Sequence, residues 1–166
     1  MGRRSLVLML LLVAAPLAAH EVDAAQTFER LKSLVGEWRG TTETGRELGV
    51  TYRLSANDTV LVETWRLGPT RESLTLYHLD GARLLATHYC PIGNQPRLVL
   101  SAQPGADRYD FTFESATNLP DAAAAHQVRF TLELDGPDAM TRSETYAEAG
   151  EEGAEAVRYT RVAAPR

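Results

Sequence analysis

HQVRFTLEL, residues 126–134, decides the fold. Val128, Phe130, Leu132 and Leu134 fall in phase with His126, while Gln127, Arg129, Thr131 and Glu133 take the other phase. A period of two belongs to a strand with one buried and one wet face, because successive Cβ atoms point to opposite sides of a pleated sheet. The same alternation recurs at 38–42, 50–54, 59–66, 74–79, 83–90, 97–102, 108–114, 140–147 and 156–162. Turn formers such as Thr44-Gly45, Asn57-Asp58, Asp80-Gly81 and Pro104-Gly105 separate these runs. Their short polar side chains and tolerance of positive φ suit hairpin connections. Ten short strands at this spacing predict an all-β, ten-stranded antiparallel up-and-down barrel. Closure removes the unpaired edges that invite association, so a monomer or weak dimer is expected.

Upstream of the strands, Phe28, Leu31 and Leu34 recur at helical spacing, and Thr27 is a candidate N-cap for one short helix ending at Val35. Within 115–125, long for a hairpin loop, Ala122 to Ala125 reads as a brief helix or lid.

The first nineteen residues carry Arg3 and Arg4, then an apolar run from Leu6 to Val13, then Pro16 and small residues. That is the pattern of a secretory signal peptide, 1–19, with cleavage as late as residue 24 equally readable. The run is too short for an ordinary transmembrane helix, so no stable membrane insertion is expected. A short linker over 20–26 and a single barrel domain over 27–166 complete the organisation, and the expected location is periplasmic or secreted. Setting aside the two leader arginines leaves 15 of the 17 basic side chains against 22 acidic ones, a net charge near −7. Such a balance argues against nucleic acid as a partner. Cys90 is the single cysteine, so no internal disulfide can form.

Two segments resemble a known superfamily. Leu34-Val35-Gly36-Glu37-Trp38-Arg39-Gly40, a short helix leading into Gly-x-Trp-x-Gly, resembles the opening of the calycins: lipocalins, fatty-acid-binding proteins and nitrobindin-like barrels. The run from Tyr77 through Thr87-His88-Tyr89-Cys90 to Gly93-Asn94-Gln95-Pro96-Arg97 is similar to exported bacterial lipocalin-like domains of unassigned function. The resemblance implies a barrel with an internal cavity. It departs from nitrobindin after Gly40, where Thr41-Thr42-Glu43 replaces a glycine-rich continuation, and no histidine follows His126 to serve as a C-terminal haem ligand.

Chemistry concentrates around the loop of 84–100, where His88, Cys90, Asn94, Gln95 and Arg97 lie within ten residues. Arg97 with Gln95 is suited to an anionic head group at the barrel mouth, since a planar guanidinium can bind two oxygens at once. By phase, His126 is expected to point inward with Phe130 and Leu132. His88 and Cys90 share a strand face, which is half of a zinc site. Whether His78 joins them depends on the loop at Asp80-Gly81, and both registers are open. Gly36, Trp38 and Gly40 read as structural, with Arg158 or Arg161 stacked on the Trp38 ring. Tyr52, Tyr109, Phe111 and Phe113 read as core, and a four-residue turn over 135–138 would turn Thr141, Ser143 and Thr145 inward.

These readings favour a non-enzymatic exported binding protein for a small amphipathic or hydrophobic molecule, without a cofactor. The ligand residues are His88, Cys90, Asn94, Gln95, Arg97 and His126. One alternative is a metal-dependent or cysteine/histidine enzyme using His88, Cys90 and His126, with zinc as the metal. Another is an envelope protein–protein interaction module.

Overall fold

In the computed structural model, which describes residues 23–163, the chain forms one closed antiparallel barrel of ten strands. Residues 1–22, and with them the leader and residues 20–22 of the expected linker, lie outside the described residues, as do 164–166; the rest of that linker, 23–26, is not a linker but the cap and first turn of a helix. The strands are β1 (Gly36–Thr41), β2 (Glu47–Ser55), β3 (Val60–Arg66), β4 (Glu72–Asp80), β5 (Arg83–Tyr89), β6 (Gln95–Gly105), β7 (Arg108–Thr117), β8 (His126–Leu134), β9 (Ala139–Glu148) and β10 (Glu151–Arg161). Each pairs with its sequence neighbours, and β1 pairs with β10 to close the sheet.

The helix α1 (Ala24–Leu31), extended by a 3-10 turn over Lys32–Leu34, begins earlier than its apolar spacing suggests. Asp23, not Thr27, is the cap: its carboxylate accepts the amide of Gln26 at 2.9 Å. Thr27 instead lies buried beside Phe28 and Leu31 on the face turned to the barrel. This face covers the end where β4 meets β5, and Arg30 bonds Asp107 at 2.8 Å across the β6–β7 hairpin.

Under the helix, Trp38 is buried and donates its indole N–H to the carbonyl of Leu34 at 2.8 Å. The Arg161 guanidinium lies 4.2 Å from the centre of the Trp38 ring. It also donates to the carbonyls of Val35 and Ser33, each at 2.8 Å, and of Pro137 at 3.0 Å. Arg158 turns outward to Asp135. Gly40 is required by proximity, since a Cβ there would come 2.7 Å from both the Arg158 carbonyl oxygen and the Tyr159 ring. Gly36 has φ +134°, a conformation glycine adopts freely, and its open side admits the Arg161 fork.

Loop length fixes which side chains enter the barrel. In the β4–β5 hairpin the two-residue connection is Gly81-Ala82, so Asp80 pairs with Arg83 and Thr75 with His88. His88 therefore faces inward and His78 outward. Between β8 and β9, Asp135 and Ala139 close the turn and Leu134 pairs with Met140, leaving three residues at the tip instead of the expected four. That one-residue difference reverses the strand: Arg142 and its in-phase neighbours Met140, Glu144 and Tyr146 face inward, not Thr141, Ser143 and Thr145. A bulge in β8 between Gln127 and Arg129 likewise shifts the phase within residues 126–134, so Gln127 pairs with Tyr146. Ala122 to Ala125 form no helix; the Asp121 carboxylate accepts the amides of Ala123 and Ala124 in a turn.

Removing the Arg161 side chain breaks three charge-assisted hydrogen bonds and the stacking on Trp38, whereas Arg158 holds only an exposed ion pair. Urea denaturation is expected to show Arg161→Ala destabilised by about 2–4 kcal/mol and Arg158→Ala by less than about 1 kcal/mol.

Candidate functional site

The barrel interior divides into two halves. Toward the helix it is dry: Phe111 and Phe130 stack with centroids 4.5 Å apart, and Tyr77 meets both edge-on at 5.8 and 6.0 Å. Above them lies a buried charge. Arg142 on β9 is 1% exposed, with its guanidinium carbon 4.2 Å from the Phe130 ring centre and 5.3 Å from that of Trp65. Its Nη1 donates to Glu63 Oε2 at 3.2 Å and to the Tyr77 hydroxyl at 2.9 Å, and its Nε donates to Glu144 Oε1 at 2.8 Å. Glu63 on β3 is fully buried and also accepts from the Trp65 indole and the Tyr77 hydroxyl. Burial pushes the Glu63 carboxyl above the usual range, against the pull of Arg142. Every neighbour within hydrogen-bond reach is a donor, an arrangement that matches the carboxylate form.

Sequence reasoning missed this cluster. Glu63 stands in phase with Leu61 and Trp65 on β3, a carboxylate among apolar residues of one face, which is a visible signal. Arg142 is in phase with Met140, but the expected turn length placed that phase outside.

Above the cluster an open pocket of about 90 Å³ reaches solvent at the end of the barrel opposite α1. Leu48, Leu67, Pro91 and Val157 supply its apolar wall; Arg142, Glu144, His88, Tyr146 and Tyr159 supply its polar one. Arg46 and Glu155 stand at the rim, 4.0 Å apart. Two buried polar atoms among these lining residues have no partner: Nη2 of Arg142 and the hydroxyl of Tyr159. Unpaired buried donors of this kind are costly, by about 1–3 kcal/mol each, unless water or a ligand satisfies them.

His88 lies on this wall, 3% exposed, between the Thr75 hydroxyl at 3.1 Å from Nδ1 and the Tyr146 hydroxyl at 3.3 Å from Nε2. Burial lowers its pKa to about 4, opposed by Glu144 and reinforced by Arg142, so the ring is neutral at pH 7. One nitrogen then donates and the other accepts, which suits two hydroxyl partners. Cys90 follows at the strand end, half-buried, and burial raises its thiol against the lowering influence of the nearby Ile92 backbone and Tyr146 hydroxyl. A nucleophilic thiol needs the opposite shift.

The other expected site residues are placed elsewhere. Arg97 is exposed on the outer face, beside Thr87, Ser115 and Thr117, so it does not meet the cavity mouth. Gln95 is held there by Gly93 and Thr117. Proline is at the inward phase instead: Pro96 is in register with the buried Leu98 and Leu100. Asn94 is buried but braces the loop, donating to the Ala125 carbonyl at 2.7 Å. His126 is buried against Phe113, ring centres 4.9 Å apart, with Nδ1 2.7 Å from the Ala124 carbonyl oxygen, and it does not line the pocket. Among the described residues no three His, Cys, Asp or Glu side chains come together in a metal-binding group, so the zinc set His88, Cys90 and His126 is not assembled.

No family model matches the chain, and no curated protein sequence matches it. Solved structures share the architecture. The crystal structure of Rv2717c from M. tuberculosis superposes with a TM-score of 0.58 at 18% identity, covering 85% of this chain and 100% of that one. A protein of unknown function from the DUF3598 family of Nostoc punctiforme superposes with a TM-score of 0.53 at 17% identity, covering 80% of this chain and 49% of its own. The likeness is one of fold. A closed ten-stranded antiparallel barrel fits a calycin-like architecture.

Two consequences are measurable. Because His88 has a folded pKa near 4 against an ordinary 6.5, the unfolded chain binds the extra proton between those values. Stability is therefore expected to fall as pH drops from about 6.5 to 4, and His88→Gln should remove up to about 3 kcal/mol of that loss in denaturation curves measured across the range. Glu63→Ala leaves the Arg142 charge short of a partner, and is expected to cost about 3–5 kcal/mol in the same assay.

Proposed function

We propose that this protein is an exported carrier or sensor that binds a small amphipathic molecule in the open end of its barrel, without chemical conversion. The observation that carries the reading is the pocket floor, where Arg142 Nη2 and the Tyr159 hydroxyl lie buried and unpartnered beneath an apolar wall. A bound group with acceptor atoms would satisfy both donors at once. About 90 Å³ is less than the roughly 150 Å³ of an engineered cavity that houses benzene. The ligand therefore inserts a compact polar end and leaves its remaining apolar body among Leu48, Leu67 and Pro91 at the mouth. The raised thiol of Cys90 and the separation of His126 from His88 favour binding over cysteine or metal catalysis.

Native mass spectrometry of protein isolated gently from its own compartment tests the reading. An adduct of small-molecule mass, lost on denaturation and absent from a variant at the pocket-lining Ser73, Ser73→Leu, whose larger side chain fills the pocket, is the expected result. A bare mass for both proteins, with no probe shifting Trp65 fluorescence, would count against a carrier.

A further inference from the structure

The pocket floor holds more information than its shape. A guanidinium is planar, and its Nε–H and one Nη2–H point out of the same edge. In Arg142 that edge is half used: Nε bonds Glu144 Oε1 at 2.8 Å, while the neighbouring Nη2 is buried without a partner. The vacant donor therefore sits beside a carboxylate. Glu144 in turn accepts from no group but Arg142 among the described residues, which leaves its second oxygen free, and its side chain is 23% exposed on the pocket wall. Tyr159 adds an unpartnered hydroxyl to the same floor. The interior thus presents donors and an acceptor side by side.

Charge narrows the choice. One positive guanidinium, Arg142, meets two carboxylates, Glu63 and Glu144. At the rim Arg46 and Glu155 offset each other. The floor carries a net negative charge before any ligand enters, and burial raises the energy of adding another. A carboxylate or phosphate head is excluded on that ground, although a lone buried arginine would by itself suggest one. A hydroxyl head can accept from one donor and donate to Glu144, but both contacts converge on a single oxygen, whereas the donors and the carboxylate lie side by side along the guanidinium edge.

We propose that the group recognised in this pocket is a neutral amide, in the form of a carboxamide, lactam or ureido head. Its carbonyl oxygen accepts from Arg142 Nη2 and the Tyr159 hydroxyl, and its N–H donates to the free oxygen of Glu144. No covalent step is involved. The assignment rests on the binding function proposed above and specifies the ligand class for the same pocket. It makes Glu144 the specificity-determining residue: the carboxylate both accepts the amide N–H and repels an anion.

Four probes of nearly equal size separate the possibilities: butyramide, butyrate, butanol and butylamine, titrated at pH 7 by saturation-transfer NMR and Trp65 fluorescence. Butyramide is expected to bind at least about tenfold more tightly than each of the others, the size of effect that one buried charge-assisted hydrogen bond supplies. Glu144→Gln keeps the shape but removes the charge, and is expected to reduce the preference for butyramide over butyrate to about threefold or less. Equal or tighter binding of butyrate, butanol or butylamine, lost in Ser73→Leu, overturns the amide assignment and leaves pocket binding standing. An undiminished preference in Glu144→Gln overturns the role of that residue and with it the assignment. Absence of binding by all four, together with a bare native mass, overturns both the assignment and the binding function.

Discussion

A positive charge inside the barrel organises the rest of this structure. Arg142 reaches from β9 between the faces of Phe130 and Trp65 and is answered from β3 by Glu63 and from its own strand by Glu144. Coulomb attraction between groups shielded from water is strong, but so is the desolvation that opposes it, so such a pair persists only where hydrogen bonds complete it. Tyr77 and Trp65 provide that completion for Glu63. The pair fastens strands seventy-nine residues apart in sequence and fixes the depth at which apolar filling stops. Below it the aromatic side chains close on one another; above it a pocket with a partly polar wall opens to solvent.

How much of this is legible in the sequence depends on whether a feature is local. Ten strands could be read because alternation and turn residues act over a few positions, and all ten lie where the period of two places them. The seal on Trp38 could be read down to two arginines, of which Arg161 takes the ring and Arg158 does not. Interior chemistry was harder, because the phase of a strand depends on a single residue in the preceding turn. Three residues at the β8–β9 tip instead of four place Arg142 inside, and a bulge at Val128 separates His126 from the pocket. The hairpin of residues 84–100 does lie at the mouth, contributing His88 and Pro91, while the inward phase at Pro96 leaves Arg97 on the outside. Glu63 was the one visible clue to the charged cluster: a carboxylate between Leu61 and Trp65 on the buried phase has to be paired.

Rv2717c and the Nostoc protein superpose on this chain at 18% and 17% identity, which suits a fold whose requirements are alternation, hairpin turns and a few close approaches such as Gly40. Outward residues are nearly free to vary under those requirements, and inward ones need only fill space. Function in such an architecture resides in the few inward residues that do not fill space. On the binding function proposed above these are Arg142, Glu144, His88, Tyr146 and Tyr159, which line the pocket from β5, β9 and β10. The neutral imidazole between Thr75 and Tyr146 adds hydrogen bonding without charge, so the electrostatic balance of the site is set by the arginine and its carboxylates alone.

The β1–β10 ladder has a mechanical consequence. Nine ladders join strands adjacent in sequence, whereas this one closes a loop of some 120 residues, at an entropic cost of about 4 kcal/mol, through only three paired positions from Trp38–Arg161 to Gly40–Tyr159. Chain order therefore lets a curved meander form first and the cylinder close afterwards. Because the strands are antiparallel and Gly36 and Arg161 lie at the same end, tension applied at those two residues loads the pairs one after another, as a zipper, rather than all together in shear. Arg161, holding the carbonyls of Ser33, Val35 and Pro137, is the stop at the end of that zipper. The same side chain that seals the base of the barrel is thus the first element a pulling force, or an unfolding fluctuation, has to release.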